Sequence, residues 1–580
     1  MNLVRDKRFL GIIVSIFVSI STISIIGYLF DYSFSFVSFI IIIAVRLLAS
    51  FALFDDYKLS WSKSSTKTGL IKVFISIISF IIYTVILRFL DQAPTNILFV
   101  EMILYTFVLN ILVYGYKYYQ TVGKHSKTKE LVIYGAGKAG LQLQREFSNS
   151  EYQVLCFIDD DKVLQQRSID GISIYSKDKF IEKYTSNDYD MMVIAMPSAL
   201  KEEIKTVFES MEGKFKIIKI LPSLENILKK EDFSKQLKDI SVEDLLARHP
   251  KDLDTAKISS FIKNRIVLIT GAGGSIGSEI SRQCKRFGAK QLILVDHSEF
   301  NLYQITDELS DSNIVPVMQT VRNTDYLEST FSKYKPQIVI HAAAYKHVPL
   351  VEDNILEGIT NNIIGTKNCI DVAIKHNVAK FVLISTDKAV RPTNVMGTTK
   401  RVCELYAQNV DSKDTEIVSV RFGNVLGSSG SVIPKFKSQI EAGKNITVTH
   451  PDITRYFMLI PEACELVLQA GAIAKGGEIF ILDMGEPIKI VDLAKKMISL
   501  SGRDDINIDF CGLRPGEKLY EELLINDSDK KTEYESITVA SPTLFDIQSL
   551  NKKINDLLVV KNKIDALKQI VPEFEHKLNK

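Results

Sequence analysis

Hydrophobic residues are unevenly spread along this chain. Four apolar stretches, at about residues 9–30, 34–54, 71–90 and 96–116, crowd its beginning, each near the roughly 20 residues a helix needs to cross a bilayer. The first starts FLGIIVSIF and is too long, and too poor in small cleavage-site residues, for a signal peptide. Residues 1–120 are therefore predicted to form an α-helical membrane anchor of about four transmembrane helices. From residue 130 the pattern changes to short apolar strands alternating with amphipathic stretches, which predicts α/β modules built on parallel sheets. A Rossmann-like module is expected over 130–225, a charged helical linker over 226–264, a doubly wound parallel sheet with a smaller substrate-binding lobe over 265–545, and a helical tail over 546–580.

Charge sets the orientation. The amino terminus carries Arg5, Lys7 and Arg8, the loop after the second span Lys58, Lys63, Lys67 and Lys72, and the tail of the fourth Lys117, Lys124, Lys127 and Lys129; the connections at 31–33 and 91–96 hold no Lys or Arg. By the positive-inside rule both the amino terminus and the long carboxy-terminal part face the cytoplasm. Arg46, deep in the second span, either pairs within the bundle or snorkels, or else serves a function. The 71 basic against 69 acidic residues give no reason to expect a nucleic-acid partner. The six cysteines lack metal-ligand spacing, so no metal is expected, and their scatter suits a reducing compartment.

Two glycine-rich turns follow strands. The first, Gly135-Ala-Gly137-Lys-Ala-Gly140, precedes Asp159–Asp161; it reads either as a nucleotide site or as a degenerate spacer, and the spacer is favoured because nothing catalytic follows. The second, in RIVLITGAGGSIGSEI, places Gly271, Gly274, Ser275, Ile276 and Gly277 where a strand turns into a helix, an arrangement that lets backbone N–H groups approach a pyrophosphate. Asp296 lies nineteen positions past Gly277 at the next strand end, where a carboxylate accepts from a ribose 2′-hydroxyl and repels a 2′-phosphate, favouring NAD over NADP.

The strand KFVLISTDK ends in Thr386-Asp387-Lys388, followed eight positions later by Met396-Gly-Thr-Thr-Lys400. Extended short-chain dehydrogenases carry Tyr-x-x-x-Lys there, one helical turn apart, the lysine lowering the tyrosine pKa for proton abstraction. The thioether of Met396 does no acid–base work. With HAAAYKHVPLVE (341–352), NNIIGT (361–366), ISTDKAVRPTNVMGTTKR (384–401), RFGNVLGSSGSVIP (421–434), DITRYFM (452–458) and LRPGEKLYEELL (513–524), the chain resembles the bacterial membrane-bound UDP-N-acetylglucosamine 4,6-dehydratases of the PglF type, over essentially its whole length. In those enzymes methionine likewise stands for tyrosine.

The resemblance implies NAD-dependent oxidation at C4 of the hexose, loss of water across C5 and C6, and hydride return to C6. It implies Lys388 as base at C5, Asp387 as acid to the 6-hydroxyl, Thr386 at the 4-hydroxyl and Lys400 at the nicotinamide ribose, and leaves the first deprotonation to the Asp387–Lys388 pair or a relayed water. Lys346 is expected near cofactor or substrate, Asn424 at the diphosphate, Arg455 and Arg514 as phosphate forks, and Glu517 at a ribose hydroxyl or paired with an arginine. Many relatives have Gly-Asp-Val-Arg-Asp where this chain has Gln319–Asn323, which puts one adenine contact in doubt. The implied setting is the bacterial inner membrane and a glycan or protein-glycosylation pathway, with UDP-N-acetylglucosamine and membrane lipid as partners; a homo-oligomer and other glycan enzymes stay open. A C5-inverting dehydratase, a nucleotide-sugar epimerase and a membrane-tethered sugar-nucleotide sensor are the alternatives.

Overall fold

The computed structural model describes residues 7–52, 66–122, 128–148, 150–186, 189–222, 233–240, 244, 252–503, 505–522 and 530–577. The chain divides into two compact units, residues 1–185 with 228–236 and residues 186–227 with 237–580.

The first unit opens with α1 (Lys7–Leu29), α2 (Phe36–Ala52), α3 (Thr66–Phe89) and α4 (Thr95–Val122), one on each apolar stretch. Three are long and apolar enough to cross a membrane, over Ile12–Leu29, Thr68–Phe89 and Thr95–Tyr116, whereas the apolar part of α2 is the shorter Phe36–Phe51. At about 1.5 Å per residue that run falls roughly one turn short of a bilayer core. Large apolar side chains point outward, Phe17, Phe36 and Phe89 among them, which a soluble bundle avoids and lipid favours. The interior holds charge. The Arg46 guanidinium meets Glu101 through Nη2–Oε2 at 2.6 Å and Nη1–Oε1 at 3.1 Å, so of the options open for Arg46 the structure shows pairing within the bundle.

The α/β part of this unit runs β1 (Lys129–Tyr134), the helix Lys138–Phe147, β2 (Tyr152–Ile158), β3 (Ser168–Ile169) and β4 (Ile172–Tyr175). β2 pairs in parallel with β1 and β4, and β3 antiparallel with β4.

The second unit begins with β5 (Tyr189–Ile194) and β6 (Phe215–Ile220), paired in parallel, and β7 (Lys238–Asp239), antiparallel to β6. Part of the expected helical linker lies outside the described residues; its described elements are a 3-10 turn at Phe233–Lys235, β7 and the helix Thr255–Ile262. The chain is then tied down by its own aspartates. The Asp252 carboxylate accepts from Ser536 N, and Asp254 accepts from Tyr534 Oη.

Next come β8 (Ile266–Thr270), β9 (Gln291–Asp296), β10 (Ile314–Met318), β11 (Ile338–His341), β12 (Lys380–Ile384), β13 (Glu416–Arg421), β14 (Asn424–Val425), β15 (Ile446–Val448), β16 (Thr454–Arg455), β17 (Phe457–Met458), β18 (Ile479–Leu482), β19 (Ile488–Lys489), β20 (Ile508–Phe510), β21 (Lys530–Lys531) and β22 (Ile537–Val539). The main sheet has the order β10-β9-β8-β11-β12-β13-β18-β22-β21. Successive strand residues feed opposite faces, so Val267 and Ile269 enter one core and Leu268 the other. Both faces are covered, which is why these strands read as unbroken apolar runs. The order reverses direction between β8 and β11, and ligands bind outside the carboxyl ends of strands at such a switch point. β14 with β17, β15 with β20 and β16 with β19 build a smaller lobe around Phe436, Val448, Leu493 and Met497. Two helices, Ile547–Val559 and Lys563–Ile570, close the chain. Beyond them Glu575 N and Lys577 N donate to Pro392 O and Thr393 O.

Candidate active site

The cleft at the carboxyl ends of β8, β11, β12 and β13 encloses about 440 Å³. On one side the turn after β8 opens the helix Ser275–Arg286. Gly271 takes φ +65°, and a Cβ on Gly277 would sit 2.1 Å from Gly271 O, so only glycine lets turn and helix approach this closely. Among the described residues no side chain caps that helix, and its free N–H groups suit the diphosphate of a dinucleotide. Gly271, Gly274, Ser275, Ile276 and Gly277 all line the cleft. Asp296 ends β9 outside the lining; its Oδ2 accepts from Gly273 N and its Oδ1 from Ser298 N, both at 2.9 Å.

The floor is the end of β12. Thr386 Oγ1 donates to Asp387 Oδ1 at 2.8 Å, and Lys388 Nζ donates to Asp387 Oδ1 and Asn424 Oδ1, both at 3.0 Å. Asp387 lies behind the cleft lining with its buried Oδ2 lacking a hydrogen-bond partner among the described residues. The helix Val395–Asn409 passes directly over this turn: a Cβ on Gly397 would lie 2.2 Å from Lys388 O, which explains the glycine of MGTTK. Asn394 caps that helix by accepting from Gly397 N, and Met396 and Lys400 face the cleft from it. Burial lowers the Lys400 pKa.

Two supports hold these parts in place. A π-turn at Ile359–Ile364, a distortion common near functional sites, presents Asn362. Its side chain bonds both backbone groups of Tyr345 and reaches Thr399 Oγ1 at 3.0 Å, fixing the strand-end segment that carries Lys346 and His347 beside the helix. Lys346 lines the cleft, its pKa lowered by burial and then by the Lys388 charge. Behind the floor, Glu404 accepts from Ser385 Oγ at 2.6 Å and from Arg421 Nε and Nη2, both at 2.7 Å.

The lobe supplies the remaining wall. Arg455 lines the cleft, and its Nη1 donates to Thr454 O at 2.6 Å and Leu519 O at 3.4 Å, its Nη2 to Glu517 Oε1 at 3.5 Å. Glu517 also accepts from Arg514 N at 3.1 Å. Of the residues expected for the site, fourteen line one cleft: Thr386, Lys388, Met396, Lys400, Gly271, Gly274, Ser275, Ile276, Gly277, Lys346, Asn424, Arg455, Arg514 and Glu517. Asn424 meets Lys388 directly, and Arg455 grips the 517–521 loop.

Sequence reasoning missed Glu521. It lines the cleft, its Oε1 lying 3.8 Å from Lys388 Nζ and 3.5 Å from Arg455 Nε. Burial raises its pKa, Lys388 opposes the rise, and Asp387 adds to it. Lys388 is pulled down by burial, but Asp387 and then Glu521 outweigh that and hold it above an ordinary lysine. The signal lay in LRPGEKLYEELL, where nothing distinguishes inward Glu521 from Glu522, which pairs with Arg391 and Lys518. Among the described residues no cluster suits a metal ion.

Residues 267–542 match the family described as Polysaccharide biosynthesis protein, and residues 127–218 the one described as C2185-like, N-terminal. The chain is similar to Capsular polysaccharide biosynthesis protein CapD of Staphylococcus aureus, with 43% identity over 514 residues, 83% of this chain and 84% of that one. It is also similar to UDP-glucose 4-epimerase of Rickettsia canadensis, 34% identical over 47% of this chain and 80% of that one. UDP-N-acetylglucosamine 4,6-dehydratase (inverting) of Campylobacter jejuni is 32% identical over 50% and 88%. With most of its length aligned to CapD at that identity, the chain belongs to the polysaccharide biosynthesis protein family.

Proposed function

We propose that this chain is an NAD-dependent 4,6-dehydratase of UDP-N-acetylglucosamine, held at the bacterial inner membrane by α1–α4 with its catalytic domain in the cytoplasm. The observation that carries the reading is the strand end itself. An amine and a carboxyl, Lys388 and Asp387, stand 3.0 Å apart beside Met396, where a tyrosine would otherwise do the proton transfer. The relatives that act on nucleotide sugars support the substrate class, and the Campylobacter jejuni relative supports dehydration.

Gly271–Gly277, Asp296 and Lys400 would hold NAD, which would supply the hydride acceptor at C4 and the donor at C6. Thr386 binds the 4-hydroxyl and passes its proton to Asp387 Oδ1, the atom to which Thr386 Oγ1 already donates. Asp387 hands that proton to the departing 6-hydroxyl. Lys388 Nζ takes the C5 proton, acidified by the 4-ketone, and later returns it. Asn424 orients Lys388, and Arg455, Arg514 and Glu517 shape the nucleotide side. An epimerase would leave Asp387 and Lys388 without work at C5. A C5-inverting dehydratase is the second reading, favoured by the name of the Campylobacter jejuni relative.

The test is full-length protein in detergent with NAD+ and UDP-N-acetylglucosamine, followed by mass spectrometry and NMR. The reading expects a nucleotide sugar lighter by one water, with a 4-ketone and a C6 methyl group; the coupling at C5 separates retention from inversion. A product of unchanged mass epimeric at C4 overturns it.

A further inference from the structure

The proposed chemistry, on which this inference rests, needs Lys388 as a neutral amine at the moment the C5 proton leaves. The unliganded site holds it as an ammonium, faced by Asp387 Oδ1 at 3.0 Å and Glu521 Oε1 at 3.8 Å. Its proton therefore needs a destination. Asp387 is already committed, because it must be free to take the 4-hydroxyl proton through Thr386 and deliver it to the 6-hydroxyl. Bulk water is a poor acceptor for a lysine whose pKa stands above the ordinary value.

We propose that Glu521 stores the Lys388 proton, so that the lysine meets the substrate as a free amine without exchanging protons with solvent. Three features support it. Glu521 is almost fully buried yet borders the cleft. Its Oε2 has no hydrogen-bond partner among the described residues, so a proton can settle there without displacing a donor. Burial raises its pKa against the opposing Lys388 charge, and Asp387 adds to the rise, which favours the protonated carboxyl. The charged groups facing the pair are Asp387, Arg455, Lys518 and, toward Lys388, Lys346. Arg455, 3.5 Å from Glu521, opposes protonation of both partners.

The protons balance over a turnover. At the start Lys388 is neutral, Asp387 ionised and Glu521 protonated. The 4-hydroxyl proton moves to Asp387 as C4 is oxidised by NAD+. Lys388 then takes the C5 proton, the C5–H electron pair forms the C5–C6 double bond, and the C6–O bond breaks as Asp387 gives its proton to the leaving oxygen. Once the hydride reaches C6, Lys388 returns its proton to C5, restoring the starting state. Glu521 stays protonated throughout and acts through Lys388, which makes it a positioning residue.

The experiment compares wild type with Glu521→Gln and Glu521→Asp as full-length proteins, reading kcat and KM for UDP-N-acetylglucosamine from pH 6 to 9. Wild-type kcat is expected to be nearly flat. In Glu521→Gln, Lys388 must shed its proton to bulk water, so kcat should fall on the order of 100-fold at neutral pH and climb about tenfold per pH unit, with KM within about threefold. Glu521→Asp keeps a carboxyl and should recover part of the flat profile. A Glu521→Gln enzyme whose profile stays flat, or whose whole defect lies in KM, overturns the proposal. A second arm needs no turnover: competitive labelling of Lys388 with an amine-reactive reagent across pH, read by peptide mass spectrometry. Wild-type labelling should vary little from pH 6 to 9, because transfer to Glu521 keeps a constant share of Lys388 as free amine, whereas in Glu521→Gln it should climb about tenfold per pH unit; equal profiles overturn the pairing. Absence of any product from wild type sinks the dehydratase reading alone, and the labelling arm still decides Glu521.

Discussion

Two buried charge clusters in this chain look alike in composition and differ in which atoms lack a partner among the described residues: one nitrogen, Arg46 Nε, in the bundle, and two carboxyl oxygens in the cleft. In the helix bundle, Glu101 receives Arg46 through both oxygens and a hydrogen bond from Thr22 Oγ1 at 2.6 Å, while Arg46 also reaches Ser19 and lies 3.7 Å from the Tyr105 ring centroid. In the cleft, Lys388, Asp387, Glu521 and Arg455 are spaced at 3.0–3.8 Å, and Asp387 Oδ2 and Glu521 Oε2 are buried without partners among the described residues. A closed, bidentate pair of this kind holds a structure in one arrangement. Orphaned carboxyl oxygens are costly in a folded protein and are tolerated where a substrate or a moving proton will use them. The same residue types thus serve the fold in one place and chemistry in the other.

Breaking each cluster should separate the two roles. The largest effect is expected at the cleft: Lys388→Ala should lower kcat by about 10³-fold while leaving the melting temperature near wild type, measured on one preparation. In the bundle, Arg46→Met should destabilise by about 3–5 kcal/mol, because Glu101 is left as an uncompensated buried charge, and turnover per folded molecule should not change. Arg46→Met/Glu101→Leu should recover much of the loss, as seen by thermal unfolding in detergent.

The cluster behind the floor is like the bundle in that both oxygens of its carboxylate, Glu404, are engaged. Burial would raise the Glu404 pKa, but Arg421, then Arg401 and Ser385, hold it below the ordinary carboxylate range. A depressed native pKa adds stability above the unfolded value of about 4.3, and that stability is lost as pH falls through the native one. Glu404→Gln should therefore destabilise by about 3 kcal/mol at pH 7 and flatten the acid side of the stability profile, checked by melts from pH 7 to 4. The smallest effect belongs to Met396→Leu. A thioether in a buried wall is replaced by a similar volume, and kcat should stay within about threefold, whereas an acid–base role at this position would show a far larger loss.

The contrast also marks what the sequence made legible. Period and glycine spacing announced the second dinucleotide turn, since Gly271 and Gly277 have no substitute at their positions. The strand end at Asp387-Lys388 stood out because tyrosine was missing nearby. Pairings across long separations were invisible: Arg46 with Glu101, fifty-five positions apart, and Lys388 with Glu521 depend on tertiary packing that no local pattern encodes. The two glycine turns show the same limit. In the first, a Cβ on Gly140 would press on Gly135 O, and Asp159 accepts from Ala136 N at 2.6 Å, much as Gly277 and Asp296 behave in the second. Local geometry is shared, and the strand-end Asp387–Lys388 pair belongs to the second alone.

The central claim is that Lys388 removes and returns a proton at C5. It is tested most directly by running the full-length enzyme with UDP-N-acetylglucosamine in D2O and locating deuterium in the product by NMR. In D2O the Lys388 amine starts each turnover as ND2, so the account predicts a 4-keto product carrying mainly deuterium at C5, lost with Lys388→Ala. A wild-type product that keeps its original hydrogen at C5, or a Lys388→Ala enzyme that still exchanges it at the full rate, would contradict it.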